Sequence, residues 1–269
     1  PRAVSQLSDS SINDVSKAIL TTDLVEKWHS ISFEVDGKTV TLTGIAKGSG
    51  MIRPDMATML SFIFTDIGAS QQELQDCLSI SVNQSFNRIT VDGDTSTNDA
   101  CTLSATNQSG VQLSDCSKDF QLALNALTKV LSHMIVKDGE GATKFVEICA
   151  SGLDTDEDCL EVAYTVAHSP LVKTALFASD ANWGRILAAV GRSKVNGLAI
   201  ENINIYLNNL PIISAGEIDN QYTEEAGSVE MSKSEIVIRI EMGKSSSSES
   251  VWTTDLSYDY VKINAEYRT

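Results

Sequence analysis

The chain has 269 residues, of which 42% are hydrophobic and 21% charged, a globular composition that excludes a disordered chain. Its 36 acidic and 20 basic side chains give a net charge of −16, which argues against nucleic-acid binding through a basic face and leaves room for a cationic small substrate. No apolar run approaches the ~18 residues of a membrane span, so we expect a soluble, cytoplasmic protein.

Helices and strands alternate in the first half of the predicted structure. Ile12, Val15 and Ile19 have helical spacing, and Asp36-Gly37 separates two alternating runs as the turn of a hairpin does. In chain order, the predicted elements are a helix over 11–20, a hairpin of 31–35 and 39–43, a buried strand over 58–65, a helix over 70–88, a strand near Thr102 and a long amphipathic helix over 118–136.

The second half is predicted to end in β-structure. Its expected elements are a strand over 144–149, a helix over 156–168, a strand over 171–177, a helix opened by Asn182, strands over 203–207 and 236–242 with a break at Pro211, and a last strand over 258–264. Interspersed elements with a β-rich end predict an α+β fold of layered α/β type rather than a strictly doubly wound sheet.

Cysteine and histidine spacing predicts no metal site. The five cysteines include no Cys-x-x-Cys pair, and the three histidines are isolated, so neither a zinc site nor a redox dithiol is encoded. We therefore expect the cysteines to be reduced thiols. The polar run 92–99 has a partial calcium-loop pattern but no bidentate glutamate at the required distance, and it is better explained as a loop ordered by local turns.

The Ala57-Thr58 junction could supply a nucleophile. It follows a loop containing glycine and proline, and Thr58 would head a buried strand. The Thr58 hydroxyl could attack the preceding carbonyl, and hydrolysis of the resulting ester would free an amine that then serves as the general base. The alternative, an ordinary packed Ala-Thr pair at a strand start, stays open from spacing alone.

Two further residues are candidates for binding a substrate. Lys47 precedes Gly48-Ser49-Gly50, which lacks the full phosphate-loop pattern, so this lysine is a candidate for holding a substrate carboxylate. Glu140 lies between two glycines, where it could pair with a ligand ammonium. A solvated loop lysine and a plain turn are the alternatives.

Eight segments in the same order resemble the glutamate N-acetyltransferase/ornithine acetyltransferase family of arginine biosynthesis. They are Ile19-Leu-Thr-Thr-Asp23, Gly44-Ile-Ala-Lys-Gly-Ser-Gly-Met51, Pro54-Asp-Met-Ala-Thr-Met-Leu60, Val91-Asp-Gly-Asp-Thr-Ser-Thr-Asn-Asp99, Lys137-Asp-Gly-Glu-Gly-Ala-Thr-Lys144, Ser169-Pro-Leu-Val-Lys-Thr-Ala175, Asn182-Trp-Gly-Arg-Ile186 and Ile263-Asn-Ala-Glu-Tyr267. They run from residue 19 to the end of the chain, so the resemblance is strong.

The resemblance implies a multifunctional acyltransferase with the self-processing, N-terminal-nucleophile-like ornithine acetyltransferase/aminopeptidase fold. Autocatalytic cleavage between Ala57 and Thr58 would give residues 1–57, the C-terminal part of an α chain, and residues 58–269, a β chain that begins with the nucleophile. Thr58 would take acetyl from N2-acetylornithine, release ornithine and pass the acetyl group to glutamate. The family's substrate contacts carry over onto Thr21, Lys47, Thr58, Glu140, Asn264 and Thr269.

The resemblance also implies an assembly and a set of small molecules. The cleaved chains would form an α2β2 heterotetramer, no metal or cofactor is implied, and some members also accept acetyl-CoA as a co-substrate. The family's chain begins upstream of Pro1, and its oxyanion-hole Thr-Gly pair lies in that upstream part, so Pro1 suggests a fragment or processed piece. Thr43-Gly44 does not match that pair.

Two alternatives accompany this reading. Arg53 and Asp55 stand where relatives tend to have a small or apolar residue and Asn, and both flank the cleavage loop. A self-processing amidase or aminopeptidase of similar fold would hydrolyse the acyl-enzyme instead of transferring its acyl group. A truncated, inactive relative would neither cleave itself nor carry an acetyl group.

Overall fold

The computed structural model describes residues 11–53, 59–95 and 99–267, and the chain divides into two compact units. Unit 1 comprises the described residues within Pro1–Asn87 and Asp94–Gly139, and unit 2 those within Arg88–Gly93 and Glu140–Thr269. The predicted division at Ala57/Thr58 concerns a peptide bond to be cleaved rather than a folding boundary. It stays a prediction.

Unit 1 is built on a sheet of order β1-β2-β3-β4. Its elements are α1 Ile12–Ala18, β1 Lys27–Val35, β2 Lys38–Lys47, β3 Leu60–Thr65, α2 Gln71–Asn83, β4 Ala100–Ala105 and α3 Ser117–Lys137, with a 3₁₀ turn at Leu113–Asp115. A second 3₁₀ turn, Phe86–Arg88, lies where the chain passes from one unit to the other.

The predicted hairpin is confirmed and is longer than expected. β1 and β2 pair antiparallel from Lys27↔Ala46 to Val35↔Lys38, and the positive φ angles of Asp36 (48°) and Gly37 (76°) are those of a tight hairpin turn. β2 pairs antiparallel with β3, which pairs parallel with β4. β3 therefore has hydrogen-bonded neighbours on both sides.

Helix α3 covers this sheet with its apolar face. Phe120, Leu124, Leu127 and Leu131 are fully buried and recur at helical spacing. A Cβ on Gly44 would lie 2.7 Å from Cδ1 of Leu131, so the Leu131 side chain would have to shift to accommodate it. The Thr43-Gly44 pair lies within β2, where its glycine packs against Leu131.

Unit 2 is built on a second sheet, of order β10-β5-β9-β6-β7-β8. Its elements are β5 Phe145–Ser151, α4 Asp156–Ala167, α5 Pro170–Phe177, α6 Trp183–Gly191, β6 Asn204–Leu207, β7 Leu210–Ser214, β8 Glu217–Ile218, α7 Glu224–Met231, β9 Glu235–Glu241, β10 Ser248–Thr254 and α8 Tyr258–Glu266, with a 3₁₀ turn at Ile200–Asn202. β5 and β9 pair parallel, and the other neighbours pair antiparallel. The buried faces of β5, β9, α4 and α6 form its hydrophobic core.

Two predicted strands are helices. Residues 171–177 lie in α5, where Ser169 caps the first turn by accepting from the Val172 amide and Pro170 occupies the first helical position. Residues 258–264 lie in α8, which Ser257 caps by accepting from the Tyr260 amide. Each of these helices begins after a serine whose side chain caps the first turn, a helix signal that the predicted strands left out.

Two smaller expectations about the tail also fail. Pro211 does not break the sheet but lies within β7, paired with Tyr206 beside a bulge in β6, a position where proline is tolerated. The tail also contains α7, which Thr223 caps by accepting from the Ala226 amide. The two mixed sheets and their helices nevertheless confirm the α+β class.

None of the helices in the described ranges combines the length and the apolar composition that crossing a membrane requires.

Candidate active site

Three of the predicted site residues lie outside the described residues. Ala57 and Thr58 fall in the interval 54–58, and Thr269 falls in the interval 268–269. Thr21 and Lys47 lie in unit 1, and Glu140 and Asn264 lie in unit 2. The candidate site is therefore described as two groups, each within its own unit.

Lys47 is the last residue of β2, and it is half-buried. It pairs in register with Leu60, the first residue of β3, which stands two positions beyond Thr58 in the sequence. The sheet therefore holds the Lys47 backbone beside the first residues described after Thr58.

Asp99 fixes the residue that follows Thr58. Its Oδ1 accepts a hydrogen bond of 2.5 Å from the backbone amide of Met59, and the Met59 carbonyl accepts from the Ala100 amide at 3.2 Å. Burial raises the pKa of Asp99 to about 6, while the Met59 amide and the nearby charge of Lys47 act in the opposite direction. This carboxyl group thus contacts Met59, the residue that follows Thr58 in the sequence.

The sequence did not single out Asp99. It was expected to belong to a loop ordered by local turns, whereas its partner is 40 residues away in the chain. The signal that brings the two residues together is the parallel pairing of β3 with β4, in which Leu60 faces Ala100. A sequence pattern does not encode that register.

Thr21 is exposed and lies just after α1. Its backbone amide donates to Asp23 Oδ2 at 3.2 Å, and the amide of Gly48 donates to Asp23 Oδ1 at 2.7 Å. One carboxylate thus ties Thr21 to the residue that follows Lys47. Asp23 is a second residue that the sequence did not single out for the site.

Glu140 and Asn264 lie together in unit 2. Nδ2 of Asn264 donates to Glu140 Oε2 at 2.8 Å and to the Tyr260 carbonyl at 3.1 Å, which orients the amide on α8. Glu140 is half-buried and Asn264 is exposed. A carboxylate held by one amide keeps acceptor capacity for a second donor such as an ammonium group.

The segment that carries Glu140 is anchored at both ends. Gly141 has a φ of +67°, and a Cβ there would lie 2.5 Å from the Tyr260 backbone nitrogen and 2.6 Å from Ser257 Oγ, so only glycine allows this close approach to α8. At the other end, Asp255 accepts from the amides of Thr143 and Lys144 at 2.8 and 3.0 Å. Glu140 therefore belongs to an ordered turn.

His168 and His133 lie at or near the ends of helices. His168 caps the C-terminal end of α4, stacks on Tyr164 with ring centroids 5.2 Å apart, and lies 3.0 Å from Thr90 Oγ1 through Nε2. His133 lies in the last part of α3.

Comparison with known proteins identifies the family. The ArgJ family model matches residues 1–269. The chain is 52% identical over 273 residues to arginine biosynthesis bifunctional protein ArgJ of Pseudomonas syringae pv. tomato, covering 98% of this chain and 67% of that protein. It is 50% identical over 272 residues to the protein of the same name from Pseudomonas fluorescens, covering 99% and 67%.

A solved structure agrees with this assignment. The crystal structure of arginine biosynthesis bifunctional protein ArgJ from Bacillus halodurans matches with a TM-score of 0.73 and 36% identity, over 78% of this chain and 100% of that chain. Both the sequence and the fold thus point to one family. The chain belongs to the ArgJ family of bifunctional arginine-biosynthesis enzymes, and it is an acyltransferase.

Proposed function

We propose that this protein transfers the acetyl group of N2-acetylornithine to glutamate through an acetyl ester on Thr58. The observation that carries the proposal is the pairing of Lys47 with Leu60, two positions beyond Thr58 in the sequence. A lysine held at that place is available to bind the α-carboxylate of the substrate beside the nucleophile segment. A charge-assisted hydrogen bond of this kind orients the reacting amide.

The second group supports an ornithine-type substrate. N2-acetylornithine carries an ammonium group at the end of its side chain, and Glu140 is a half-buried carboxylate with acceptor capacity beyond its bond to Asn264. We assign Glu140 to that ammonium group, Asn264 to the orientation of Glu140 and the substrate, and Thr21 and Thr269 to substrate contacts.

The chemistry divides into two balanced steps. In the first step, the α-amine of Thr58 takes the hydroxyl proton, Oγ1 attacks the acetyl carbonyl, and the amide C–N bond breaks as ornithine leaves with the proton. In the second step, the α-amine of glutamate attacks the ester carbonyl and forms the new amide bond, while the amine of Thr58 takes its proton and delivers it to Oγ1, which leaves as the hydroxyl group. The free amine that acts as base requires prior autocatalytic cleavage between Ala57 and Thr58.

We further propose the assembly, the location and one more acetyl donor. The cleaved chains form an α2β2 heterotetramer in the cytoplasm, and acetyl-CoA serves as a second donor to Thr58. Native mass spectrometry tests the assembly, since it separates a heterotetramer from a single pair of chains. Incubation with acetyl-CoA alone tests the donor, because an acetyl ester on Thr58 would form without N2-acetylornithine.

Intact-mass spectrometry before and after incubation with N2-acetylornithine tests the reaction. We expect two pieces that separate between Ala57 and Thr58, with one acetyl group added to the C-terminal piece. Subsequent addition of glutamate should remove that group and yield N-acetylglutamate. Thr58→Ala should give neither the cleavage nor the adduct.

Three other results would contradict the proposal. Release of free acetate in place of N-acetylglutamate would indicate an amidase. A full-length chain without an adduct would indicate an inactive relative. Cleavage without an adduct would mean that Thr58 acts only in processing.

A pair of lysines in one strand tests the role of Lys47. Lys47→Met should raise the KM for N2-acetylornithine by about tenfold or more, since a hydrogen bond to a charged group contributes about 1.5–3 kcal/mol. Lys38→Met, at the opposite end of β2, removes the same charge and should leave KM unchanged. Equal KM values for both variants and the unmodified protein would remove the assignment.

A further inference from the structure

Three charged side chains are buried together in unit 1, and we call them the Lys27 cluster: Asp23, Lys27 and Asp138. Lys27 is 0% exposed, and Asp23 and Asp138 are each 8% exposed. Burial of charges is unfavourable unless each one is paired and hydrogen-bonded. The hydrogen bonds of these three side chains therefore show how each charge is paired and which backbone segments the cluster binds.

The ammonium group of Lys27 donates hydrogen bonds to three protein oxygens. Its Nζ lies 2.7 Å from Asp23 Oδ1 and 2.6 Å from Asp138 Oδ2, and it donates to the Val25 carbonyl at 3.3 Å. Three donors and three acceptors leave it no proton for a substrate. Lys27 therefore acts as a fixed charge between two carboxylates.

The two carboxylates also bind backbone amides. Asp23 accepts from Thr21 and Gly48 at 3.2 and 2.7 Å, and Asp138 accepts from Leu24 and Val25 at 3.0 and 3.4 Å. Burial acts to raise the pKa of Asp23, but the hydrogen bond and charge of Lys27 and the amides of Gly48 and Thr21 leave the pKa lowered, so Asp23 is a carboxylate at neutral pH.

The loop after Lys47 is held from a second side as well. Ser49, which is 3% exposed, donates its hydroxyl proton to the backbone carbonyl of Asp138 at 2.7 Å. Thr21 and Lys47, the two described residues of unit 1 assigned to the substrate, thus stand in segments that converge on one buried cluster. Thr21 itself is exposed and Lys47 is half-buried, so their side chains remain accessible.

We propose that the Lys27 cluster is a positioning device that sets the distance between Thr21 and Lys47 for substrate binding. Its members are buried, and they act through the amides of Thr21 and Gly48 rather than by contact with the substrate. This inference rests on the proposed function, since it presumes that Thr21 and Lys47 bind N2-acetylornithine. Asp23 is the central positioning residue because its carboxylate contacts both segments.

The test is a comparison of KM with kcat in folded variants. Asp23→Asn keeps one side-chain oxygen that accepts from Gly48 and Lys27. Its NH2 group would face the Thr21 amide, so the Thr21 segment loses its hydrogen bond. We expect KM for N2-acetylornithine to rise about fivefold or more with kcat changed less than about twofold, the pattern of lost uniform binding. Leu124→Ala, a buried variant of α3, controls for lost stability and should leave KM unchanged.

Ser49→Ala keeps the test valid if Asp23→Asn does not fold. It leaves the three charges in place and removes only the bond to the Asp138 carbonyl, so we expect KM to rise about twofold. Unchanged KM in the folded variants overturns the inference, as does an equal rise in Leu124→Ala. If the unmodified protein forms no acetyl-Thr58, the proposed function fails and the cluster loses its substrate role with it.

Discussion

The side-chain amide of Asn264 lies 2.8 Å from the carboxylate of Glu140, although 124 residues separate them in the chain. The sequence singled out both residues through a family resemblance, and the structure brings them together in unit 2 by the close approach of Gly141 to α8. In the proposed function, this carboxylate and its orienting amide would bind the side-chain ammonium group of N2-acetylornithine.

The charge of Glu140 can be removed without removing its acceptor. Glu140→Gln keeps an oxygen for Asn264 but should raise the KM for N2-acetylornithine about 10- to 100-fold, because a bond from ammonium to carboxylate becomes a bond to a neutral amide. Steady-state kinetics with the purified enzyme measures this change.

Glu230→Gln is the matched control, since Glu230 also accepts from an asparagine, Asn208, in the same unit. Its KM should equal that of the unmodified protein. A similar rise in both variants would show that Glu140 acts through general electrostatics alone.

Gly141→Ala should destabilise unit 2. The new methyl group would lie 2.5 Å from the Tyr260 backbone nitrogen, at a φ of +67° that L-residues rarely adopt. We expect a loss of about 2 kcal/mol or more in the free energy of unfolding, measured by urea denaturation. Gly191→Ala, where no atom lies within 4 Å of the new methyl group, should be neutral or slightly stabilising. Equal effects would argue against the close approach.

Lys173 should make stability depend on pH. Burial lowers the pKa of Lys173 to about 7, although the negative charges of Asp255 and Asp92 act to raise it. Between about pH 7 and 10 the unfolded chain therefore holds a proton that the folded chain has lost, so this lysine makes the free energy of unfolding rise with pH. Urea denaturation at about pH 7, 8 and 9 should show that rise in the unmodified protein and a flatter profile in Lys173→Met.

The same variant loses hydrogen bonds. Nζ of Lys173 donates to the Thr254 carbonyl and to Thr253 Oγ1, and all these groups are buried. Lys173→Met should therefore also lower stability at neutral pH by about 1–3 kcal/mol. Lys233→Met, which removes a lysine from a surface ion pair with Glu230, should keep the pH profile of the unmodified protein. A steep profile retained in Lys173→Met would contradict the assignment.

Asp99 should contribute a pH dependence of the opposite sign. Its pKa is raised to about 6, so between about pH 4 and 6 the folded protein keeps a proton that the unfolded chain releases. This group therefore makes stability fall as the pH rises through that window, and Asp99→Asn should abolish its contribution in chemical denaturation experiments. Asp99→Asn retains an acceptor for the Met59 amide, whereas Asp99→Ala does not. The alanine variant should be about 1 kcal/mol less stable.

Local signals predicted most of the fold. Asp36-Gly37 identified a hairpin because its turn needs positive φ angles, and Asn182 identified the start of α6, where it accepts from the Arg185 amide. The predictions for 171–177 and 258–264 were wrong because both segments contain residues that favour strands, whereas a capping serine starts a helix before each. α8 buries none of its residues, so it has no buried stripe to reveal its helical period.

The candidate site was predictable only through resemblance. Lys47 and Glu140 carried weak chemical signals, and Thr21 and Asn264 had none outside the family pattern. Asp23 and Asp99 were not predicted because each accepts from a backbone amide that is distant in the sequence. The pairing of β3 with β4 brings Met59 to Asp99, and the loop after β2 brings Gly48 to Asp23. Such partners depend on tertiary register, which no local motif records.

The antiparallel ladder between β2 and β3 joins residues on either side of the Ala57-Thr58 bond. Pairs from Leu42↔Thr65 to Lys47↔Leu60 link the segment before that bond to the segment after it. Breaking this peptide bond would therefore leave two polypeptides joined by the backbone hydrogen bonds between β2 and β3. Losing the upstream piece would expose an unpaired edge of β3, a template for aggregation. If the proposed cleavage takes place, this sheet would therefore keep the two products associated through backbone hydrogen bonds.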